Sequence, residues 1–141
     1  MEDLLSTLNQ EEKKLSCDNF KVKLQEVMKL KLRYKIWIEK NGEKVFGDGP
    51  LDILYRVERT GSLRQAALEI NMSYSQAWNL IKGLEERLGL KLLKRKVGGK
   101  RGGGSEITQE AGELMIKFKL FRGEADQSLN SLYKKIFKEK D

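Results

Sequence analysis

Histidine is absent from these 141 residues, and cysteine and proline each occur only once. Without histidine there is no Ser-His or Cys-His nucleophilic dyad, no imidazole general base and no zinc site with an imidazole ligand. The single cysteine, Cys17, can form neither an intramolecular disulfide nor a multi-thiolate metal site. Because the familiar catalytic groups are missing, we expect a protein that is not an enzyme and uses no cofactor.

Long apolar runs are missing as well, since none approaches the roughly 18 residues that a membrane-spanning helix needs. The first residues, MEDLLSTLNQEEKK, are acidic and amphipathic, whereas a signal peptide is basic and then apolar. A lone cysteine also suits a reducing compartment. These features predict a cytoplasmic protein that has no membrane partner.

Positive charge, by contrast, is in excess. The chain has 28 Lys and Arg residues against 21 Asp and Glu, which gives a formal net charge of +7. Hydrophobic residues make up 39%, enough for the core of one domain with a few extra helices. A basic balance of this kind favours polyanionic partners.

Both ends of the chain have a helical pattern. In residues 1–30, apolar side chains recur at steps of three and four, which predicts amphipathic helices packed on the core or a partner subunit, or else a frayed arm. Residues 109–141 are expected to form a last helix, capped by Thr108. Its apolar stripe is longer than one small domain needs, so its distal part is predicted to be a dimer surface. The stripe consists of Leu114, Met115, Phe118, Phe121, Leu129, Leu132 and Ile136.

Residues 31–40 alternate with a period of two, as a half-buried strand does. Asn41-Gly42 is a strong signal for a two-residue hairpin turn, and residues 43–46 would return as the second strand. Either Asp48 or Gly49 is then expected to cap a helix, and Gly61 is expected to end it. Pro50 suits the first position of that helix, because its missing N–H would have no partner there.

Residues 61–89 predict two short helices joined by a tight turn. Two S-x-x-Q capping boxes mark the helix starts, at residues 62–65 and 73–76. In each box the serine should accept from a backbone N–H and the glutamine should reach back. Ala66 and Ala67 are small enough to let the two helices cross closely, as a helix-turn-helix motif requires.

The second of these helices has two different sides. Its core side is predicted to carry Ala77, Ile81, Leu84 and Leu88. On the opposite side, Ser75, Asn79 and Lys82 are placed to reach base edges or phosphates of DNA. Tyr74 and Trp78 would contact thymine methyls or sugars, or would support the helix against the next hairpin. Residues at the helix starts complete the candidate DNA-binding set, with Arg64 and Gln65 as backbone clamps. The set on the two helices is Ser62, Arg64, Gln65, Ser73, Tyr74, Ser75, Trp78, Asn79 and Lys82.

A basic, glycine-rich segment follows directly. Residues 91–105 contain six cations and no acid, with five glycines near the tip, and predict a hairpin that lies against phosphates. The alternatives are a solvated basic loop and a nucleotide-binding loop. The nucleotide motif fails, because Arg101 follows Gly99-Lys100 and Lys94 stands in place of the first glycine. The candidate contacts here are Lys94, Arg95, Lys96, Lys100 and Arg101.

Together, GSLRQAALEINMSYSQAWNLI and VGGKRGGGSEIT resemble the DNA-binding domain of the ModE-type molybdenum-responsive transcription regulators, and more distantly the LysR-type winged helix. The specific pieces are the M-S-Y-x-x-A-W core at residues 72–78 and the glycine-rich hairpin at residues 98–104. The resemblance covers roughly residues 34–118.

The resemblance implies a homodimeric repressor or activator that binds double-stranded DNA, with each subunit contacting half of a near-palindrome. Family members carry C-terminal domains that bind molybdate or tungstate, and nothing up to Asp141 matches one. We therefore expect a regulator without its own molybdate-binding domain, with a separate effector-sensing protein as a candidate partner. The alternative is a protein-interaction adapter that binds DNA only non-specifically.

The expected fold is mainly α with small β hairpins, a winged helix-turn-helix with flanking dimerisation helices. Residues 1–30 would be an N-terminal helical segment, residues 31–108 the DNA-binding domain with its leading hairpin, and residues 109–141 the dimerisation helix.

Overall fold

The computed structural model describes residues 30–97 and 103–137. The helices predicted for residues 1–29 and the predicted glycine tip at residues 98–102 lie outside these ranges. One compact unit comprises Lys35–Arg122, and the described residues on either side of it belong to a second unit. The elements, in chain order, are β1 (Trp37–Lys40), β2 (Glu43–Gly47), α1 (Asp48–Thr60), α2 (Leu63–Glu69), α3 (Tyr74–Leu88), β3 (Leu93–Lys96), β4 (Gly104–Ile107) and α4 (Gln109–Phe137).

The first hairpin forms around the predicted turn. Asn41 and Gly42 both have positive φ, 52° and 79°, which is the conformation that a two-residue turn between right-twisted strands requires. β1 and β2 pair antiparallel, with Ile38 opposite Phe46. The predicted strand over residues 31–40 was too long, because β1 begins only at Trp37. β2 ends at Gly47, because α1 begins at the next residue. Residues 31–36 therefore have no opposite residues of β2 to pair with.

Helix α1 begins two residues earlier than predicted. It starts at Asp48 after the N-cap Gly47, and no side chain makes a capping hydrogen bond. The Asp48 carboxylate instead accepts from Nε of Arg122 at 3.2 Å. Pro50 is therefore the third helical residue, which costs no hydrogen bond because the first four N–H groups of a helix lack an intrahelical partner. Gly61 ends the helix in the left-handed conformation, as predicted, with φ of 72°.

The two predicted capping boxes differ in the structure. At the start of α3 the box is complete: Gln76 N donates to Ser73 Oγ at 3.1 Å, and Ser73 N donates to Gln76 Oε1 at 3.0 Å. At the start of α2, Ser62 Oγ accepts from Gln65 N at 3.0 Å. The predicted return bond from Gln65 is wrong, because Ser62 N donates to Thr60 Oγ1 at 3.3 Å instead.

The core lies where α1, α2, α3 and the first part of α4 meet. Ala66, Ala67 and Ala77 are fully buried, so the small side chains lie where α2 and α3 pack, as the sequence predicted. Phe46 from β2 and Phe118 from α4 pack edge to face with ring centroids 5.2 Å apart. The largest fully buried side chains of this core are Phe46, Phe118, Ile53, Leu54, Ile81, Leu84, Leu92 and Val57.

The β3–β4 hairpin, called the wing from here on, is attached to α3 by a carboxylate. Glu85 is buried on α3, with 6% of its surface exposed. Its Oε2 atom accepts hydrogen bonds from Leu92 N at 2.7 Å and from Leu93 N at 3.3 Å. The backbone that enters β3 is therefore fastened directly to the helix.

The second strand of the wing has two attachments of its own. Ser105 N donates to the carbonyl oxygen of Gly61 at 2.9 Å, at the turn between α1 and α2. At the other end of β4, Thr108 Oγ1 donates to the Lys91 carbonyl at 2.6 Å and accepts from Ala111 N at 3.1 Å. The same hydroxyl thus caps α4, as predicted, and closes the base of the wing.

Gly104 leaves no room for a side chain. A Cβ built there would lie 2.3 Å from the Gly61 carbonyl oxygen, which is backbone and cannot turn away. We expect Gly104→Ala to lower the free energy of unfolding by about 1–3 kcal/mol, the usual cost of forcing extra atoms into a packed site. Urea unfolding measures the change. The matched control is Gly112→Ala in α4, which meets nothing within 4 Å and should be neutral or stabilising. Equal effects of both substitutions would contradict this account.

Glu85 also makes stability depend on pH. Burial raises the pKa of this carboxyl, but the Leu92 and Leu93 N–H groups and the Lys82 ammonium outweigh burial, so the pKa lies below its ordinary 4.5. Because the pKa of Glu85 is lower in the folded state than in the unfolded state, its ionised carboxylate stabilises the fold at pH values above the unfolded-state pKa. This contribution is lost as pH falls through the folded-state pKa. We expect Glu85→Gln to lower the free energy of unfolding by about 1–2 kcal/mol at neutral pH, and by less as pH falls below 4.5. Urea unfolding of the wild-type protein and of Glu85→Gln, at neutral pH and at a pH below 4.5, tests this. A difference that does not change with pH would exclude the charge as its source.

Candidate nucleic-acid interface

Helix α3 has the two sides that its sequence predicts. Ala77, Ile81 and Leu84 are buried, and Leu88 packs partly buried against the same core. The other side faces solvent and carries both polar and aromatic residues. Its exposed side chains are Tyr74, Ser75, Trp78 and Asn79.

Two aromatic rings and two cations form a row on the exposed side of the helix pair. The rings of Tyr74 and Trp78 are stacked with centroids 6.4 Å apart, and 40% and 44% of the two residues' surface is exposed. The guanidinium of Arg64 lies 4.7 Å from the Tyr74 centroid, and the ammonium of Lys82 lies 4.5 Å from the Trp78 centroid. Each ring thus holds a cation in place by its electrostatic attraction.

Lys82 has a second partner inside the protein. Its Nζ lies 3.2 Å from Oε1 of Glu85, and Lys91 Nζ lies 3.8 Å from the same oxygen. The hydrogen bond to Glu85 raises the pKa of Lys82. The ammonium therefore lies near the base of the wing, in the lining of the groove between α3 and the wing, and its predicted contact with DNA stays a prediction.

The wing carries cations that are not neutralised in this way. Lys94, Arg95 and Lys96 are all exposed on β3. Across the hairpin, Lys94 is opposite Glu106 and Arg95 is opposite Ser105. Within residues 30–97 and 103–137, no carboxylate oxygen lies within 4 Å of these three cations. Their charge is available to an anionic partner.

A groove of about 790 Å³ separates α3 from the wing. Its walls bring together eight of the candidate residues predicted from the sequence, along with Glu85 and the glycines that lead into β4. The eight are Ser62, Arg64, Tyr74, Trp78, Lys82, Lys94, Arg95 and Lys96. The start of the helix pair and the wing therefore form one continuous concave surface.

Of the six other candidates, four are described and do not line that groove. Lys100 and Arg101 lie outside the described residues. The other four are exposed at the N-termini of α2 and α3 or along α3, beside the groove: Gln65, Ser73, Ser75 and Asn79.

Glu85 was not predicted from the sequence as a functional residue. Its carboxylate contacts Lys82 on the same helix and the backbone N–H groups of Leu92 and Leu93 at the start of the wing. A signal for it was present. Glu85 follows Ile81 by four residues and Leu84 by one, so it falls beside the apolar stripe of α3, where a carboxylate must find buried donors.

A second charged cluster, away from the groove, links α1 to α2. Nη1 of Arg56 lies 2.9 Å from Oε2 of Glu69, and Arg59 pairs with the same oxygen. Hydrogen bonds to Glu69 and Asp52 raise the pKa of Arg56, and those from Arg56 and Arg59 lower the pKa of Glu69. These two arginines are engaged with carboxylates, unlike the lysines and arginine of the wing.

Neither metal chemistry nor a membrane span is indicated in the part of the chain that the structure describes. No group of three or more His, Cys, Asp or Glu side chains there is arranged to hold a metal ion. Its helices include none with the length and apolar character to cross a bilayer.

Several curated relatives match more than half of this chain. Transcriptional regulator ModE of Haemophilus influenzae is 30% identical over 80 residues, which cover 57% of this chain and 31% of the relative. The DNA-binding transcriptional dual regulator ModE of Escherichia coli is 30% identical over 79 residues, 55% of this chain and 30% of the relative. Molybdenum-pterin-binding protein MopB of Rhodobacter capsulatus is 34% identical over 79 residues, 56% of this chain and 28% of the relative. The chain thus spans about a third of the length of the relatives it matches.

A family model also matches, at residues 50–111, and its description is bacterial regulatory helix-turn-helix protein, lysR family. That range runs from the third residue of α1 through the helix pair and the wing into the first turn of α4. At residues 50–111 the chain is therefore similar to the helix-turn-helix proteins of the lysR family, it is also similar to ModE regulators, and its fold is a winged helix-turn-helix.

Proposed function

We propose that this chain is a transcription regulator that binds double-stranded DNA sequence-specifically as a homodimer. The observation that carries the proposal is the groove itself, where the capped helix α3 lies beside a wing with three cations that no described carboxylate neutralises. A helix of this kind fits the major groove of B-DNA, while cations beside it bind the phosphates. The net charge of +7 acts in the same direction.

The relatives support the same function. Two of them are named as transcriptional regulators, and the name of the Escherichia coli protein includes DNA binding. The family model matches the part of this chain that contains the helix pair and the wing. We assign the chain no catalytic role.

Base contacts are assigned to the exposed side of α3 beside the groove. Asn79 can bond both edge atoms of an adenine through its amide, and Ser75, one turn earlier, can donate to or accept from a base edge. Tyr74 and Trp78 are placed to contact sugars or thymine methyl groups along the groove wall.

Phosphate contacts are assigned to the helix starts and the wing. Ser62 and Ser73 accept their capping bonds through Oγ, which leaves each hydroxyl proton free to be donated to a phosphate. Arg64 and Gln65 lie in the first turn of α2, where N–H groups also favour an anion. The cations assigned to phosphates in the wing are Lys94, Arg95, Lys96, Lys100 and Arg101.

The homodimer is assigned to α4. Within the unit Lys35–Arg122, Ile116 and Leu120 lie one turn apart on this helix and are 69% and 66% exposed, and Phe121 is also exposed. Contiguous exposed apolar side chains of this kind mark surfaces that bind protein. A two-fold dimer would present two α3 helices to two half-sites. An effector-sensing partner remains a prediction.

Selection of bound fragments from genomic DNA, followed by gel-shift titration of the recovered duplexes, tests the proposal. We expect a recovered duplex to bind at least about 10³-fold more tightly than a random-sequence duplex of the same length, as specific regulators do. Weak retention that is equal for both duplexes would instead support the alternative, a protein-interaction adapter that binds DNA only non-specifically.

Asn79→Ala tests the assignment of base contacts. Loss of an amide that bonds a base edge should cost about 1–3 kcal/mol of discrimination at one position of each half-site, with little change in binding to random DNA. Repeating the fragment selection with the variant measures this. An unchanged sequence preference would mean that α3 reads DNA through other residues.

Lys94→Met tests the wing. Removing one phosphate contact should weaken binding to all duplexes alike. It should also make the fall of log K with log salt shallower by about 0.9 per subunit. Fluorescence anisotropy at a series of salt concentrations gives the slope. A loss of affinity confined to the recovered duplex would show that Lys94 contacts a base and not a phosphate.

A further inference from the structure

Lys82 differs from the other cations of the groove. Its ammonium lies 3.2 Å from Oε1 of Glu85 and 4.5 Å from the centre of the Trp78 ring. Lys94, on the opposite wall, pairs with no carboxylate of the described residues. Although both lysines line the groove, only the wing lysine has a charge that is free to bind phosphate.

The carboxylate that holds Lys82 cannot move with it. The other oxygen of Glu85 accepts from the N–H groups of Leu92 and Leu93 at 2.7 and 3.3 Å, and the residue is 6% exposed. Lys91 adds a second ammonium 3.8 Å from Oε1. To bind a DNA phosphate, Lys82 would have to move away from Glu85. Oε1 of this buried carboxylate would then lose its nearest cation, which is energetically costly.

We propose that Glu85 determines specificity by fixing the wing beside α3, and that it also occupies Lys82 in place of a DNA phosphate. This inference rests on the proposed function and extends it. The sequence predicted that Lys82 contacts a base or a phosphate. We instead assign Lys82 a positioning role, in which it holds the Trp78 ring and the Glu85 carboxylate in place.

The physical gain is in the ratio of specific to non-specific binding. Non-specific affinity comes almost entirely from phosphates neutralised by Lys and Arg, and each contact adds about 0.9 to the salt slope. A lysine withheld from phosphate lowers affinity for every sequence alike, so by itself it leaves this ratio unchanged. A wing held at one distance from α3 adds its phosphate contacts only where the helix also fits the bases.

Salt titrations of Lys82→Met and Lys94→Met test the first half of the inference. Methionine keeps an unbranched side chain over the Trp78 ring but removes the charge. With a recovered duplex and a random-sequence duplex of the same length, we expect Lys82→Met to leave the salt slope unchanged. Lys94→Met should lower the slope by about 0.9 per subunit. If Lys82→Met lowers the slope as Lys94→Met does, Lys82 binds phosphate and the inference is wrong.

Glu85→Gln and Glu86→Gln test the second half. Both substitutions remove one negative charge from α3, but Glu86 is exposed and lies within 4 Å of no described cation. We expect Glu85→Gln to make the dependence of log K on log salt steeper by about 0.9 per subunit on the random duplex, because Lys82 is then free to bind phosphate. The ratio of affinity for the recovered duplex to affinity for the random duplex should fall several-fold. Glu86→Gln should keep the ratio. Equal ratios for the two variants would overturn the inference.

The controls separate this inference from the proposed function. If the wild-type protein binds both duplexes equally, the proposed function fails, and this inference fails with it. If the wild type prefers the recovered duplex but the variants do not behave as stated, only this inference fails. Circular dichroism at each salt concentration shows whether Glu85→Gln is folded, and if it is not, the Lys82→Met comparison alone decides. A merely structural role for Glu85 would let Glu85→Gln change affinity without changing the number of phosphates bound.

Discussion

The wing depends on the buried carboxylate of Glu85. A hairpin of two four-residue strands is marginal on its own, so its position must come from contacts with the helices. Glu85 supplies that contact for β3 from the helix whose Ile81 and Leu84 side chains are in the core. The attachments of β4 at Gly61 and Thr108 act on the other strand. With both strands attached near their ends, the wing is held at a defined distance from α3.

Signals confined to a few neighbouring residues allowed much of the helical region to be predicted. The capping box at Ser73, the left-handed glycine after α1 and the turn at Asn41 all depend on residues within four positions of one another. Even at this scale one nearby competitor changes the outcome. Thr60 takes the N–H of Ser62 that the glutamine of the same box was predicted to bind, because its hydroxyl already lies in the turn.

Features set by distant residues were predicted less well. The length of β1 depends on where β2 gives way to a helix, which the alternation of residues 31–40 does not contain. The pairing of Lys82 shows the same limit. A helical pattern places Lys82 on the solvent side of α3, but the buried Glu85 and the exposed ring of Trp78 redirect its ammonium. That redirection arises from the fold around the base of the wing, where Leu92 and Leu93 bring their N–H groups to the carboxylate.

The arrangement of charge in the groove matters more than its total. A chain with a net charge of +7 would bind any polyanion if all its cations were free. In the groove, Lys82 is engaged by Glu85, while Lys94, Arg95 and Lys96 of the wing lie within 4 Å of no described carboxylate. Under the proposed function, non-specific attraction is thereby concentrated in a hairpin whose position is tied to α3. Phosphate binding by such a hairpin would be strongest where α3 is seated, so that the sequence contacts of the helix decide where the charge acts.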